Sequence, residues 1–404
     1  MTVAWGLVVL ALGLGYVWRL GTWARGFRTV VAATEALPLL TDLPSITVVV
    51  PARNEEDTIG PCVDSVLAVD YPRDRLEVIV VDDDSHDRTA AVVRRRMAAA
   101  LPALVPAGDA LPEAEDESEG DGRLRLVQIP ENRRRDRAHK KRAIEKAVAH
   151  ARGEIILTTD ADCVVPPGWA RAMAAHFTGP EVAFVSGPVR FDVRPRDGAF
   201  VRLQALDFFG LMACGAGGIG IDRPNLANGA NVGYRRETFE ALDGFSGIDH
   251  VTSGDDELLM QKVAYETPLD VRFCADPEAM VVTEPVRSLR AFVQQRKRWA
   301  SKGANYPAPL QRMLLGVVAF FGALCATVVA ALVVPSLWVV VGGALGLKAI
   351  GDLRVLIPAA RHFGQVGVLL MFPVHLLLHA PHSLAVGLLG PLGGFEWKER
   401  RLAQ

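Results

Sequence analysis

The run IILTTDADCV at residues 155–164 constrains the fold more than any other stretch of the 404-residue chain. β-favouring and apolar residues end abruptly in two carboxylates two positions apart, Asp160 and Asp162. This pattern reads as a buried strand that leaves the core and presents acids at its carboxyl end, the edge where open α/β sheets bind ligands. Paired carboxylates repel unless a cation sits beside them, and hard oxygen donors suit Mg²⁺ or Mn²⁺. A plain solvated turn also places Asp after a strand, so the neighbouring strands must decide.

They repeat the pattern. ITVVV at 46–50 reads as a buried strand stopped by Pro51 and followed by Arg53, Asn54 and Glu55. A helix follows from Asp57 and Thr58, with Ile59, Val63, Val66 and Leu67 at helical spacing. LEVIVV at 76–81 is a second strand and runs into Asp82, Asp83 and Asp84. Residues 124–129 form a third, followed by a basic run over 133–142 and a helix over 143–151. Strands alternating with helices argue a parallel sheet built of βαβ units. Arg53, Glu55, Asp82, Asp83, Asp160 and Asp162 then gather at one sheet edge, as a cation–diphosphate complex requires.

Residues 182–189 read as a further strand. GAGGIG at 215–220 and NGANVG at 228–233 read as turns; glycine admits close backbone approach, and Asn228 and Asn231 can both donate to and accept from an acceptor's hydroxyls. GDDEL at 254–258 opens a helix, where Asp255 and Asp256 favour the dipole.

Half the residues are hydrophobic, and the apolar runs crowd the two ends. Residues 3–18 carry no charge and are followed by Arg19, Arg25 and Arg28, the order of an uncleaved anchor with its N-terminus outside and the following chain cytoplasmic. Residues 313–334 and 336–350 are two further spans, and Lys348, Asp352, Arg354, Arg361 and His362 make a polar connection to an apolar segment over 364–390. There His375, His379 and His382 share one helical face and line a polar groove. The expected organisation is an anchor over 1–22, a cytoplasmic domain over 44–303 with a solvated acidic insert at 105–122, and membrane helices over 313–392. The number of C-terminal crossings, and with it the side of the tail, stays open. With 44 basic and 46 acidic residues, nothing argues for a nucleic-acid partner. Five scattered cysteines suggest neither a zinc knuckle nor a disulfide framework.

Taken in order, VPARNEE at 50–56, VDDDSHD at 81–87, TDAD at 159–162, GDD at 254–256 and QRKRW at 295–299 resemble the membrane-anchored family-2 glycosyltransferases, the group related to cellulose, chitin and hyaluronan synthases. Asp84 stands where that family usually has Gly, Asp255 where it has Glu, and His139 precedes Lys140 where Gly is common. The resemblance implies a GT-A type α/β domain with a mostly parallel sheet, a nucleotide-sugar donor such as a UDP-sugar, and Mg²⁺ or Mn²⁺. It places Pro51, Arg53, Glu55, Asp82, Asp83, Lys140, Lys141, Asp160, Gln295, Arg298 and Trp299 around the donor. It puts Asp160 and Asp162 at the metal, Asp256 beside Asp255 as general base, and Trp299 over the acceptor. The acceptor would be a lipid or lipid-linked saccharide at the membrane, transferred to with inversion; a processive polysaccharide synthase is the alternative. More remote readings are an aspartyl-phosphate phosphatase, whose nucleophile motif resembles DAD, and a non-enzymatic nucleotide-sugar sensor.

Overall fold

The computed structural model describes residues 2–38, 40, 42–100, 118–119, 123–129, 138–389, 395–397 and 400–402. The chain runs α1 (Thr2–Glu35), β1 (Ile46–Ala52), α2 (Ile59–Leu67), β2 (Leu76–Asp83), α3 (Thr89–Ala100), β3 (Ser118–Glu119), β4 (Leu124–Ile129), α4 (His139–His150), β5 (Ile155–Thr158), β6 (Cys163–Val164), α5 (Trp169–Ala174), β7 (Val182–Ser186) and β8 (Val189–Phe191). It continues through α6 (Ala199–Ile219), β9 (Val232–Arg235), α7 (Arg236–Ala241), α8 (Glu257–Glu266), β10 (Asp270–Phe273), β11 (Val281–Thr283), α9 (Leu289–Ala300), α10 (Ala308–Ala331), α11 (Trp338–His362), α12 (Phe372–Leu389), β12 (Phe395–Trp397) and β13 (Arg400–Leu402). Most of the acidic insert and residues 133–137 of the basic run lie outside the described residues.

The main sheet has the order β10-β7-β9-β5-β1-β2-β4-β3. Strands β5, β1, β2 and β4 are parallel to one another, while β9 is antiparallel to both neighbours. Side chains alternate across it: Val49, Ile79, Val81, Val127 and Ile156 enter one core, and Val48, Val50, Val78, Val80 and Leu157 the other. Burial on both faces explains why these strands read as continuous apolar runs. Pro51 does not stop β1; it pairs in register with Val81, and the strand ends one residue later. The single strand expected over 182–189 is two, β7 in the main sheet and β8 beside β11 in a three-stranded sheet.

Four described helices are long and apolar enough to cross a membrane by length and composition: Thr2–Glu35, Ala199–Ile219, Ala308–Ala331 and Val366–Leu388. Three corrections to the sequence reading follow. First, α1 extends well past residue 22, and its C-terminal part docks on the domain, where Thr34 Oγ1 accepts the Ala275 N–H at 3.0 Å. Second, GAGGIG is no turn; it closes α6. A Cβ on Gly26 of α1 would lie 2.0 Å from the Gly217 carbonyl oxygen, and one on Gly220 would lie 2.0 Å from the Gly26 oxygen. The glycines let two helices cross backbone to backbone. Because the chain before α6 (β7, then β8) and after it (β9) lies in one domain, with β7 and β9 hydrogen-bonded neighbours, α6 is a core helix rather than a crossing.

Third, the supposed polar connection is the C-terminal half of α11. Lys348 and Asp352 pair one turn apart at 2.5 Å, both buried, and the Tyr16 hydroxyl of α1 donates to Asp352. The charges satisfy one another, so the helix continues through them.

Candidate active site

The parallel register sets the exits of β1, β2 and β5 at one edge, Ala52 opposite Asp82 and Val49 opposite Thr158. Because β9 runs antiparallel beside β5, with Val232 opposite Thr158, residues 228–231 enter at that same edge. The sequence reading of convergent strand ends therefore matches the geometry.

On the β1/β2 side, Arg53 is buried and donates from Nη1 to the carbonyls of Asp83 and Asp84, at 2.5 and 2.7 Å. Asn54 and Asp84 both hold left-handed backbone, φ 50° and 58°. That conformation favours Gly but is open to Asn and Asp, which accounts for Asp84 at a position where Gly is usual. Asp82 is buried and accepts from the Ser85 N–H and from Gln128 Nε2, at 3.1 and 3.2 Å. Asp83 stands 3.8 Å from His139 Nδ1. Glu55 accepts the Thr58 hydroxyl.

At the centre, α4 starts at His139, four residues earlier than its spacing predicts, so Lys140 sits in its first turn. Its Nζ lies 2.7 Å from Asp160 Oδ1 and 2.8 Å from Asp255 Oδ2. Burial by itself would lower the Lys140 pKa, but Asp160, Asp255 and Asp256 outweigh it and hold the ammonium above its usual range. Gly229 backs this cluster; a Cβ there would meet Lys140 Nζ at 2.9 Å and Asp255 Oδ2 at 3.1 Å.

Asp256 is both a helix cap and a member of the cluster. Its Oδ1 accepts the Glu257 N–H and its Oδ2 the Gly229 N–H, each at 2.7 Å. A carboxylate has about four lone-pair sites, so each oxygen can still accept another bond. Burial would raise its pKa, yet Lys302, Lys140 and the two N–H donors bring it below the usual carboxylate value. Lys302, which the sequence reading missed, lies 3.7 Å from Asp256 Oδ1 and 2.9 Å from Glu257 Oε2. No local spacing marks it, because its partners are some 45 residues upstream. The Tyr306 hydroxyl donates to the same Glu257.

The acids beyond β5 suit a hard cation. Ligand atoms of Asp160, Asp162 and Cys163 lie within 4.8 Å of one another. Burial and the two nearby aspartates push the Cys163 thiol far up, and a thiol is a soft donor beside the hard carboxylate oxygens. Two carboxylates remain, a donor set for Mg²⁺ or Mn²⁺.

On α9, no side chain among the described residues pairs with the Arg298 guanidinium, leaving it available to an anion. Gln295 Oε1 is buried without a hydrogen-bond partner. Trp299 packs 5.8 Å from Phe208, centroid to centroid, with the Arg296 guanidinium stacked 4.2 Å above it.

Two predicted contacts are corrected. Asn231 is fully buried and committed: its Oδ1 accepts the Trp169 Nε1–H, and its Nδ2 donates to the carbonyls of Pro188 and Ala279. It locks β9 to the core, and its full burial keeps it from an acceptor. Lys141 spends two of its donors on the carbonyls of Ile248 and Val251, at 2.6 and 2.8 Å, and burial lowers its pKa to about 8 against the opposing charges of Asp255 and Asp256. Asn228 caps the turn, its Oδ1 accepting the Ala230 N–H.

Comparison with known proteins agrees with this geometry. The family described as "Glycosyl transferase family 2" matches residues 47–209, and "Glycosyl transferase family group 2" matches residues 155–377. The chain is 30% identical over 285 residues to the beta-monoglucosyldiacylglycerol synthase of Synechocystis sp., covering 67% of this chain and 51% of that protein. It is 25% identical over 296 residues to an N-acetylglucosaminyltransferase of Rhizobium meliloti, covering 69% and 61%. A mannosyltransferase from Pyrobaculum calidifontis, solved with GDP-Man and Mn²⁺, shares the fold with a TM-score of 0.57 and 23% identity, covering 97% of both chains. The family match spans more than half of the chain and meets a sheet edge of the expected construction: the chain belongs to the family 2 glycosyl transferases and has their GT-A fold.

Proposed function

We propose that the protein is an inverting glycosyltransferase that moves a sugar from a nucleotide diphosphate sugar, a UDP-sugar, to a lipid acceptor at the membrane. The observation that carries this reading is continuity between the acidic edge and the apolar helices. Asp256 is tied through Glu257, Lys302 and Tyr306 to the start of α10, so the reacting edge opens next to the helices that would sit in lipid. The similarity to a beta-monoglucosyldiacylglycerol synthase supports a diacylglycerol-type acceptor.

Strand-end acids Asp82 and Asp83, in the pocket shaped by Arg53 and Glu55, would receive the base and ribose. Asp160 and Asp162 would hold a divalent ion, which when bound supplies charge neutralisation for the diphosphate. Lys140 and Arg298 bring positive charge to the same leaving group, stabilising the charge that develops on its oxygen. Asp256, kept ionised by Lys302 and Lys140, would take the proton of the attacking acceptor hydroxyl. Single displacement then inverts the anomeric centre, giving a β-linked product from an α-linked donor.

In this reading α1 anchors the chain with residues 19 onward cytoplasmic, by the arginines that follow its apolar part. The test is a panel of nucleotide sugars offered to the full chain in diacylglycerol-containing or polyprenyl-phosphate-containing vesicles, with products read by mass and anomeric configuration. A single-sugar β-glycolipid is expected. A ladder of polymer masses would favour the processive synthase, and absence of both nucleotide release and glycolipid across the panel would sink the proposal.

A further inference from the structure

We propose a second metal site, for a transition-metal ion of the zinc class, formed by Asp207 of α6 with His375 and His379 of α12. The two histidines lie one helical turn apart and present their rings together, 4.5 Å between centroids. His375 Nε2 is 3.6 Å and His379 Nε2 is 3.9 Å from the same atom, Asp207 Oδ1, and ligand atoms of the three residues lie within 4.8 Å of one another. These separations exceed hydrogen-bonding distance. They suit three ligands around a shared atom bonded at about 2.0–2.2 Å to each after small side-chain movements.

Three of the imidazole nitrogens lack a hydrogen-bond partner. Both ring nitrogens of His375 and Nδ1 of His379 are buried without a hydrogen-bond partner, and His375 is 8% exposed. Buried polar groups in native proteins are almost always partnered, and an orphan calls for a water, an ion or a functional role. Imidazole donors favour zinc-like ions over Mg²⁺ and Mn²⁺, which sets this site apart from the oxygen donors of Asp160 and Asp162.

Arg296 fixes the carboxylate and also limits the site. Its guanidinium is held between the rings of Trp299 and Phe292, at 4.2 and 4.9 Å, and lies 2.7 Å from Asp207 Oδ2. The carboxylate is thereby oriented with Oδ1 toward the histidines, as outer-shell partners orient metal ligands. One carboxylate and one guanidinium make the site neutral before a dication enters. The proposal therefore includes an anionic fourth ligand, and hydroxide fits because zinc lowers the pKa of bound water to about 7. An ion here would clamp α12 to α6 and to the helix that carries Trp299.

The experiment uses the full chain in detergent, stripped by chelation and equilibrated with Zn²⁺ alone, with bound metal counted by plasma mass spectrometry. One tightly held zinc per chain is expected, retained in Asp162→Ala and weakened at least about 10–100-fold in His375→Ala and His379→Ala, the loss typical even of an outer-shell change. His379→Cys keeps a ligand; it should retain the ion and add a thiolate-to-metal band when Co²⁺ replaces Zn²⁺. That variant decides the matter if the alanine proteins unfold. A folded parent protein without tight zinc, or zinc indifferent to His375 and His379, overturns the site and assigns the cluster to water or a protonated imidazole pair. Because metal alone is measured, that failure leaves the glycosyl-transfer reading untouched.

Discussion

Lys140 Nζ lies 2.7 Å from Asp160 Oδ1, a pairing that joins the first turn of α4 to the loop beyond β5. With Asp255 as its second partner at 2.8 Å, this ammonium offsets carboxylates that would otherwise repel an incoming diphosphate. Lys140→Met should weaken nucleoside diphosphate binding about 10–100-fold, from the 1.5–3 kcal/mol of a hydrogen bond to a charged group. Calorimetric titration measures it. An unchanged affinity would confine Lys140 to holding the apo cluster together.

Activity should require a divalent ion held through Asp162. Excess chelator should abolish transfer, and Mn²⁺ or Mg²⁺ should restore it. Asp162→Ala should lose donor affinity together with turnover, since ion and diphosphate share the site. Full transfer in chelator would refute a metal role at these two aspartates.

Asp256→Asn separates base from cap. Asn keeps the shape and capping capacity at about 1 kcal/mol or less but cannot take a proton. Transfer should fall roughly 10²–10⁴-fold, while donor affinity stays within a few-fold. Asp255→Asn, which leaves the Asp256 carboxylate in place, should be milder. If the two variants exchange behaviour in single-turnover assays, the base is Asp255.

Lys302 should set the pH range in which Asp256 acts as the proposed base. Against the opposing effect of burial, Lys302 is the first of the cations holding the Asp256 pKa below the usual carboxylate value. Asp256 therefore stabilises the folded protein fully above its unfolded pKa, about 3.9. That contribution is lost as pH falls through the lower folded value. Lys302→Met removes the cation and leaves burial to dominate, so the acid limb of the kcat/KM profile should move to higher pH. Lys302→Arg should restore it. A profile that does not move would make Lys302 a fold residue only.

The pair inside α11 should matter for stability. Lys348→Met leaves Asp352 buried with only the Tyr16 hydroxyl, and breaking a buried pair costs about 3–5 kcal/mol. Replacing both, Lys348→Met with Asp352→Leu, should recover most of the loss in thermal unfolding in detergent. Equal losses in single and double variants would argue against a charge-pair origin.

The sequence by itself determined the parallel centre of the sheet and the edge at which its acids gather, but not the antiparallel β9 or the outer strand β10. Strands buried on both faces must be apolar along their length, so β1, β2, β4 and β5 are visible as runs, and the acids at their exits follow from where each run stops. Those signals are local. What only the tertiary structure decided is the use of residues whose partners lie far along the chain. Glycines 217 and 220 look like turn residues until Gly26, nearly two hundred positions earlier, is brought against them. Lys348 and Asp352 look like a loop until they neutralise each other and meet Tyr16. Asn231 and Lys141 have the chemistry of ligand contacts, yet Asn231 bonds to Trp169, Pro188 and Ala279 inside the core, and Lys141 donates to the carbonyls of Ile248 and Val251. A polar side chain's chemistry can be read from its type. Whether that chemistry is free for a ligand depends on which donors and acceptors the fold places beside it, because a buried polar group must first be satisfied.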